Sequence, residues 1–462
     1  MPLPVSQDSR DASMSVPGRF EAATPRSREL WDRARRIFPQ GVSGQAKFFA
    51  PYPVFIAEAS GATITDLDGR RYVDLLMGAG PLLLGHGHPA VVSAVRRQAE
   101  LVINPMLPNV LSLEYAERLQ AHMPHLERLR FVNTGSEATR SAIRAARAAT
   151  GRLKIAKFEG NYHGSDDFCL VSTHTREPAG SPDRPEGVLD YAGVAPRILD
   201  EVVVLPYNDA EAAAALIDEH GDELAAVIME PVGFSSGGGI PAEPGFARAV
   251  RDATRRHGIV LIFDEVLCSL RLGLAGAPAY LGVTPDLVTI GKAVGGGLPL
   301  AGFGGSAEIM DAVLGPDAGA RKIFQSGTFT ENPLSIAAGM AALGVLESEN
   351  ALERADSAGE ALRRGLREVF RSHDVPAAVT GVGSIVQIHP GVTAARDRRD
   401  VLRGDLALTQ DIMLGCVAEG VLWPPVHPAL TSAAHEPAHV ERVISAVDAV
   451  LGRAPRTAKE ES

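Results

Sequence analysis

GIVLIFDEV (258–266) is the stretch on which the reading of this chain turns. Five apolar residues, Ile259 to Phe263, run without alternation and end on Asp264 and Glu265. An unbroken apolar run of this length fits a strand covered on both faces, as in a parallel sheet. The pattern repeats outward from it. LRFVNT (129–134), LKIAKFE (153–159), EVVVLPY (201–207), LAAVIME (224–230) and LVTIGK (287–292) are further strand candidates. Between them lie the helical patterns ATRSAIRAARAAT (138–150), DAEAAAALIDEHG (209–221) and GFARAVRDATRRHG (245–258). Strand and helix in this order imply βαβ units, hence an α/β fold with a mostly parallel sheet. Ligands of such sheets gather at the carboxyl ends of the strands, which is where the chemistry is expected.

Before this region, EASGATITDLDGRRYVDLL (58–76) alternates and breaks at Asp68-Gly69, the pattern of a hairpin. After Asn332-Pro333 a long helical stretch leads into a shorter mixed segment ending near Leu451, which reads as a smaller α+β lobe. The expected organisation is a mobile start (1–25), a segment joining the small lobe (26–85), a large domain (86–335), a small domain (336–452) and a flexible tail (453–462).

With 462 residues, 45% apolar and 22% charged, the composition is that of a globular protein with room for two lobes. The net charge of −11 and the absence of a basic stripe speak against nucleic acid. No apolar run has the length of a membrane span, and the first twenty residues have no signal-peptide core. Cys169, Cys268 and Cys416 are far apart and lack metal-ligand spacing. They read as reduced, buried residues of a cytoplasmic protein, with no metal site expected.

Four strand ends carry the polar residues. Asp264 faces the crevice and needs a cationic or N–H partner. It is either a cap or surface ion-pair member, or a carboxylate that keeps a proton on a ligand's ring nitrogen. In NTGSEA (133–138), Gly135 and Ser136 open a helix after a strand. Free N–H groups there suit a phosphate, although serine is also an ordinary N-cap. In GNYHGSDD (160–167), the Tyr162 ring either stacks on a planar ligand or packs at a lobe interface. His163 is either a general base or a hydrogen-bonded structural residue. In TIGKAVGGGLPL (289–300) the glycines follow Lys292, the reverse of a phosphate-binding P-loop, and no dinucleotide fingerprint accompanies them. What remains is an amine presented at a strand end with open backbone beside it. A phosphate cup, a stacking ring, an acid and an amine are together what pyridoxal phosphate (PLP) requires. A nucleotide-binding or non-catalytic α/β protein is the competing reading. The order of lysine and glycines, and the presence together of Lys292, Asp264 and Tyr162, speak against it.

From about Pro39 to Leu451 the chain resembles the class III (ω-type) aminotransferases of PLP fold type I. The likeness is strongest to the branch holding glutamate-1-semialdehyde 2,1-aminomutases and β-amino-acid aminotransferases. It rests on GATITDLDGRRYVDL, LGHGHP, NTGSEA, NYHG, MEPV, FDEV, GKAVGGGLP and SGTFTENP, in that order. The resemblance implies a transaminase in which Lys292 forms the Schiff base and moves protons. Asp264 would pair with the pyridinium nitrogen, with Val266 behind the ring and Tyr162 in front of it. Gly135 and Ser136 would hold the phosphate. His163 and Glu230 fall within the cofactor's surroundings. Thr328 would reach the phosphate of a neighbouring subunit, which implies a homodimer with shared sites. Two departures bear on substrate. Where the aminomutases have G-G-V-N-S-P-V-R and G-S-W-G-P, this chain has QGVSGQAK (40–47) and GAGP (78–81). Lys47 and Ala79 therefore stand at substrate positions, and intermolecular transamination is favoured over the 2,1-aminomutase or an epimerase reaction. The arginine that β-amino-acid aminotransferases carry in the C-terminal lobe has no counterpart in LWPPVHPALTS (422–432), where His427 is the one substitute.

Overall fold

The structure, a computed structural model, describes residues 15–234, 237–423 and 427–453. The first described residues correct one expectation. Part of the stretch expected to be a mobile tail is helical: α1 (Val16–Ala23) is capped by the Ser15 side chain and buries Phe20 completely. Phe20 packs against Phe49 and Tyr52, with ring centroids 6.0 and 5.0 Å away. Burial of one aromatic side chain outweighs the polar composition around it. Residues 1–14 and 454–462, the rest of the two expected tails, lie outside the described residues.

Helix α2 (Pro25–Ala34) leads to β1 (Ile56–Ser60), β2 (Thr63–Asp66) and β3 (Arg71–Asp74). These pair antiparallel in sequence order, and β2 and β3 are the expected hairpin. Helices α3 (Pro89–Leu101) and α4 (Val110–His122) then precede the main sheet. That sheet comprises β4 (Arg128–Val132), β5 (Lys154–Phe158), β6 (Val202–Leu205), β7 (Leu224–Met229), β8 (Val260–Glu265), β9 (Leu287–Ile290) and β10 (Ala301–Gly305). Its spatial order is β4-β10-β9-β8-β7-β5-β6. Neighbours run parallel except at β10, which is antiparallel to both β9 and β4.

All the strands of this sheet but one coincide with strand candidates. The exception is β10, AGFGG, whose glycines disfavour a strand by propensity. The glycines are there for contact: a Cβ on Gly304 would lie 2.1 Å from the Arg128 carbonyl oxygen, and one on Gly302 3.1 Å from that of Arg130. Close approach of the neighbouring backbone, not propensity, selects these residues.

Helices α5 (Gly135–Thr150), α6 (Ala210–Glu219) and α7 (Pro244–Arg256) connect or flank these strands. The alanines of α5, with Ala138, Ala142, Ala145 and Ala146 buried, let it lie close on the sheet against Ile228, Ile262 and Phe303. Beyond the sheet come α8 (Pro333–Ser348), α9 (Ala351–Ser372), β11 (Ala377–Thr380), β12 (Ile385–Pro390), α10 (Arg398–Arg403), α11 (Leu406–Ala418), β13 (Val421–Leu422), β14 (Ala429–Leu430) and α12 (Pro437–Arg453). Strands β11, β12 and β14 form a small antiparallel sheet, whereas β13 pairs in parallel with β3 far upstream. Val73 and Leu75 accordingly share one core with Leu366, Phe370, Trp423 and Val447. Among the described residues no helix is long and apolar enough to cross a membrane.

Candidate active site

The carboxyl ends of β5, β7, β8 and β9 and the start of α5 converge on a cavity of about 170 Å³. Gly135, Ser136, Tyr162, His163, Glu230, Asp264, Val266 and Lys292 all line it. Phe234 and Leu267, which the sequence did not single out, line it as well. A more open cavity of about 310 Å³ adjoins it, sharing Gly135, Val266 and Lys292 and bringing in Ala79. Lys47 and Thr328 line neither. Lys47 is exposed, with its amine donating to Ser43 Oγ at 3.3 Å. Thr328 is exposed on a surface segment between Phe324 and Phe329, themselves 80% and 60% exposed.

Asp264 is the most heavily bonded of these groups. Its carboxylate is 3% exposed and accepts from His163 Nδ1 at 2.7 Å, Thr289 Oγ1 at 2.8 Å and the Val266 N–H at 3.1 Å. Burial holds the His163 imidazole below its ordinary pKa even though the carboxylate pulls the other way. The ring is therefore neutral at physiological pH and donates Nδ1–H to Asp264. Of the two readings of His163, the arrangement is the hydrogen-bonded one: the ring supports the carboxylate. Thr289 was missed, although β8 and β9 pair with Asp264 opposite Thr289. Strand register, not a motif, carried that signal.

Lys292 lies at the end of β9 with its amine 4.9 Å from the centroid of the Phe234 ring. Burial lowers its pKa to about 8, against the pull of Glu230, while Arg271 adds to the lowering. Glu230 ends β7, and burial together with Asp264 raises its carboxyl to about 8. It accepts from the Tyr162 N–H at 2.8 Å and so fixes the loop that carries the aromatic ring. An amine with this pKa has an appreciable neutral, nucleophilic fraction near neutral pH.

Helix α5 begins at Gly135, but its cap is Thr134, whose hydroxyl accepts from the Glu137 N–H at 3.2 Å. Ser136 is thus not the N-cap. Its hydroxyl faces the next loop and accepts from the Ser165 N–H at 3.2 Å. Gly135 and Gly164 are glycine for want of room: added Cβ atoms would meet Val266 Cγ1 at 2.7 Å and Ser136 Oγ at 2.4 Å. First-turn N–H groups have no intrahelical partner, so this end of the cavity is an anion cup.

The residues fit pyridoxal phosphate on observations internal to the fold. Val266 and Tyr162 line the cavity, a bonded carboxylate stands at one end and a helix N-terminus at another. His427 stacks on Phe234, with centroids 6.0 Å apart and planes at 22°, and burial keeps it uncharged with its pKa near 4. Pro424 to Val426, part of the stretch read for a C-terminal arginine, lie outside the described residues.

Comparison with known proteins shows the family. Residues 45–439 match the family described as aminotransferase class-III. The glutamate-1-semialdehyde 2,1-aminomutase of Methanocella arvoryzae is 40% identical over 424 residues, 91% of this chain and 97% of that protein. An omega-transaminase from Sphaerobacter thermophilus superposes with a TM-score of 0.85 at 38% identity, over 92% of this chain and 97% of that one. A glutamate-1-semialdehyde aminomutase from Pseudomonas aeruginosa PAO1, in complex with PMP, gives 0.85 at 30% identity, over 95% and 96%. With its strand-end lysine, bonded carboxylate and anion cup, the chain is an enzyme and belongs to the class III aminotransferase family, with the α/β architecture of PLP fold type I.

Proposed function

We propose that the enzyme is a PLP-dependent transaminase that carries an amino group from an amino-acid or amine donor to a keto acceptor, with Lys292 as the residue that holds the cofactor. One observation carries the reading: Lys292 lines the same cavity as the Asp264–His163 pair and the start of α5. When bound, pyridoxal phosphate supplies an electrophilic carbonyl and a ring that accepts electron density. The chain's own residues do the rest. Asp264, held by His163 and Thr289, keeps a proton on the ring nitrogen. Gly135 and Ser136 orient the phosphate. Tyr162 and Val266 would flank the ring, and the Lys292 amine would take and return the proton at the substrate carbon.

The 2,1-aminomutase is the second reading, favoured by the names of the curated relatives. Against it stand Ala79 in the adjoining cavity and the uncharged stack of Phe234 and His427. Mass balance separates the two. Supplying α-, β- and ω-amino donors one at a time should convert the loaded enzyme to its pyridoxamine form, and an added keto acid should then recover the amine. A single substrate that isomerises while no amine ever reaches an added keto acid excludes transamination.

The active form we propose is a homodimer in the cytoplasm, with domain boundaries near residues 86 and 336 and Thr328 completing the partner's phosphate site. Leu101, Met106, Leu107, Val110, Phe324 and Phe329 are exposed apolar side chains. Asn332 Nδ2 donates to the Ile103 carbonyl at 3.0 Å and so links the stretch around residue 103 to the start of α8. Apolar exposure of this kind on a globular enzyme supports burial against a second copy.

A further inference from the structure

Arg271 is as buried as any residue of the site, yet it lines neither cavity. It sits in the loop that follows β8, immediately after Leu270, whose φ of 61° places it in the left-handed region. Its guanidinium reaches three separate stretches of chain. One nitrogen donates to Ser384 Oγ at 2.8 Å and to the Thr431 carbonyl at 3.1 Å, and another donates to the Gly80 carbonyl at 2.8 Å.

Gly80 ends a run of unusual backbone. Met77, Gly78, Ala79 and Gly80 all have positive φ, at 47°, 66°, 63° and 126°. Two of these are not glycine, so the run is strained and must be held by its surroundings. At its start, Asp74 accepts from the N–H groups of Leu76 and Met77 at 2.8 and 3.2 Å, and His86 Nε2 bonds Asp74 at 2.7 Å. At its end, Arg271 holds the Gly80 carbonyl. Between these anchors the strap lies directly on the lysine. A Cβ on Gly80 would stand 2.7 Å from Lys292 Cδ and 2.9 Å from Leu267 Cδ1. Lys292 itself has a φ of 47°.

We infer that Arg271 is a positioning residue for Lys292: it clamps the strained strap Met77–Gly80 onto the lysine side chain. The strap packs closely on the lysine stem and on Leu267, and the single guanidinium ties it to the small lobe through Ser384 and Thr431. Motion of the small lobe relative to the main sheet would then be felt at the reacting amine. The charged and titratable groups facing the amine are Glu230 from the end of β7, Asp264 from β8, Cys268 and Arg271 from the following loop, and His427 from the small lobe. Asp356, on α9, offsets part of the Arg271 charge. Glu230 and Asp264 draw the amine toward its charged form. Arg271 opposes them and shares the effect of burial.

The inference rests on Lys292 being the cofactor lysine. It is tested on the PLP-loaded, full-length enzyme with Arg271→Lys, Arg271→Met and Gly80→Ala, each scored by the pH titration of the visible absorption band and by kcat and KM, with thermal melting as a check on folding. Arg271→Met removes the charge, and the titration midpoint should move up by about one unit. Arg271→Lys keeps a charge but cannot span three acceptors, so its midpoint should stay near that of the unmodified enzyme while kcat falls about 10- to 100-fold at little cost in KM. Gly80→Ala, with Arg271 intact, should perturb the band itself. Folded, loaded variants that titrate and turn over like the unmodified enzyme would overturn the inference and leave the transaminase reading standing. Failure of the unmodified chain to take up PLP would instead remove that reading. Should the Arg271 variants not fold, Gly80→Ala decides alone.

Discussion

The two ends of the cavity are built in opposite ways. At the Asp264 end both carboxylate oxygens accept from protein groups, one from the His163 ring and the other from Thr289 Oγ1 and the Val266 N–H. At the Gly135 end the donors are backbone N–H groups of a helix start, and the side chains near them are small. The first end fixes one proton in one place, which requires a rigid, dehydrated carboxylate. The second must admit and release a doubly charged group, which favours many modest donors over one committed partner.

That contrast can be broken one residue at a time. The largest effect should come from Lys292→Ala, which removes the amine common to both ends. The absorption of the lysine-bound cofactor should vanish on reduction assays and turnover should fall by three orders of magnitude or more, on the order of what loss of an activated nucleophile costs. A variant that still forms a borohydride-reducible adduct would place the lysine elsewhere. Asp264→Asn should come next. The amide keeps the shape but cannot hold a proton on the ring nitrogen, and kcat should drop by about 10²- to 10⁴-fold with the cofactor still bound. The smallest effect belongs to the cup. Ser136→Ala deletes one hydroxyl among several donors and should weaken PLP affinity by about 10-fold, roughly the worth of one hydrogen bond, with kcat at saturating PLP almost unchanged. If Ser136→Ala cost more than Asp264→Asn, the contrast between the two ends would be wrong.

Much of this was legible in the sequence, for a definite reason. Lys292, Asp264, Glu230 and Tyr162 each follow a strand of recognisable composition, and a parallel sheet brings strand ends together without further information. Residues whose roles depend on register or on remote segments were not legible. Thr289 matters only because β9 lies beside β8 in one register. Arg271 matters because residues 80, 384 and 431 meet around it, and no local pattern links those positions. The strand holding Gly302 and Gly304 was not among the candidates because the selection of these glycines comes from a neighbouring strand's backbone. Ser136 was weighed as a cap because the identity of an N-cap depends on where the helix starts, and Thr134, two residues earlier, takes that part.

The parallel pairing of β3 with β13 also constrains how the chain can be made. Arg70 on the N-terminal side donates to the carbonyl of Ala418, 348 residues later. During synthesis the hairpin of β2 and β3 therefore waits, with Val73 and Leu75 uncovered, until nearly the whole chain has left the ribosome. Long-range closure of this kind is slow and leaves apolar strand edges open to wrong partners in the meantime.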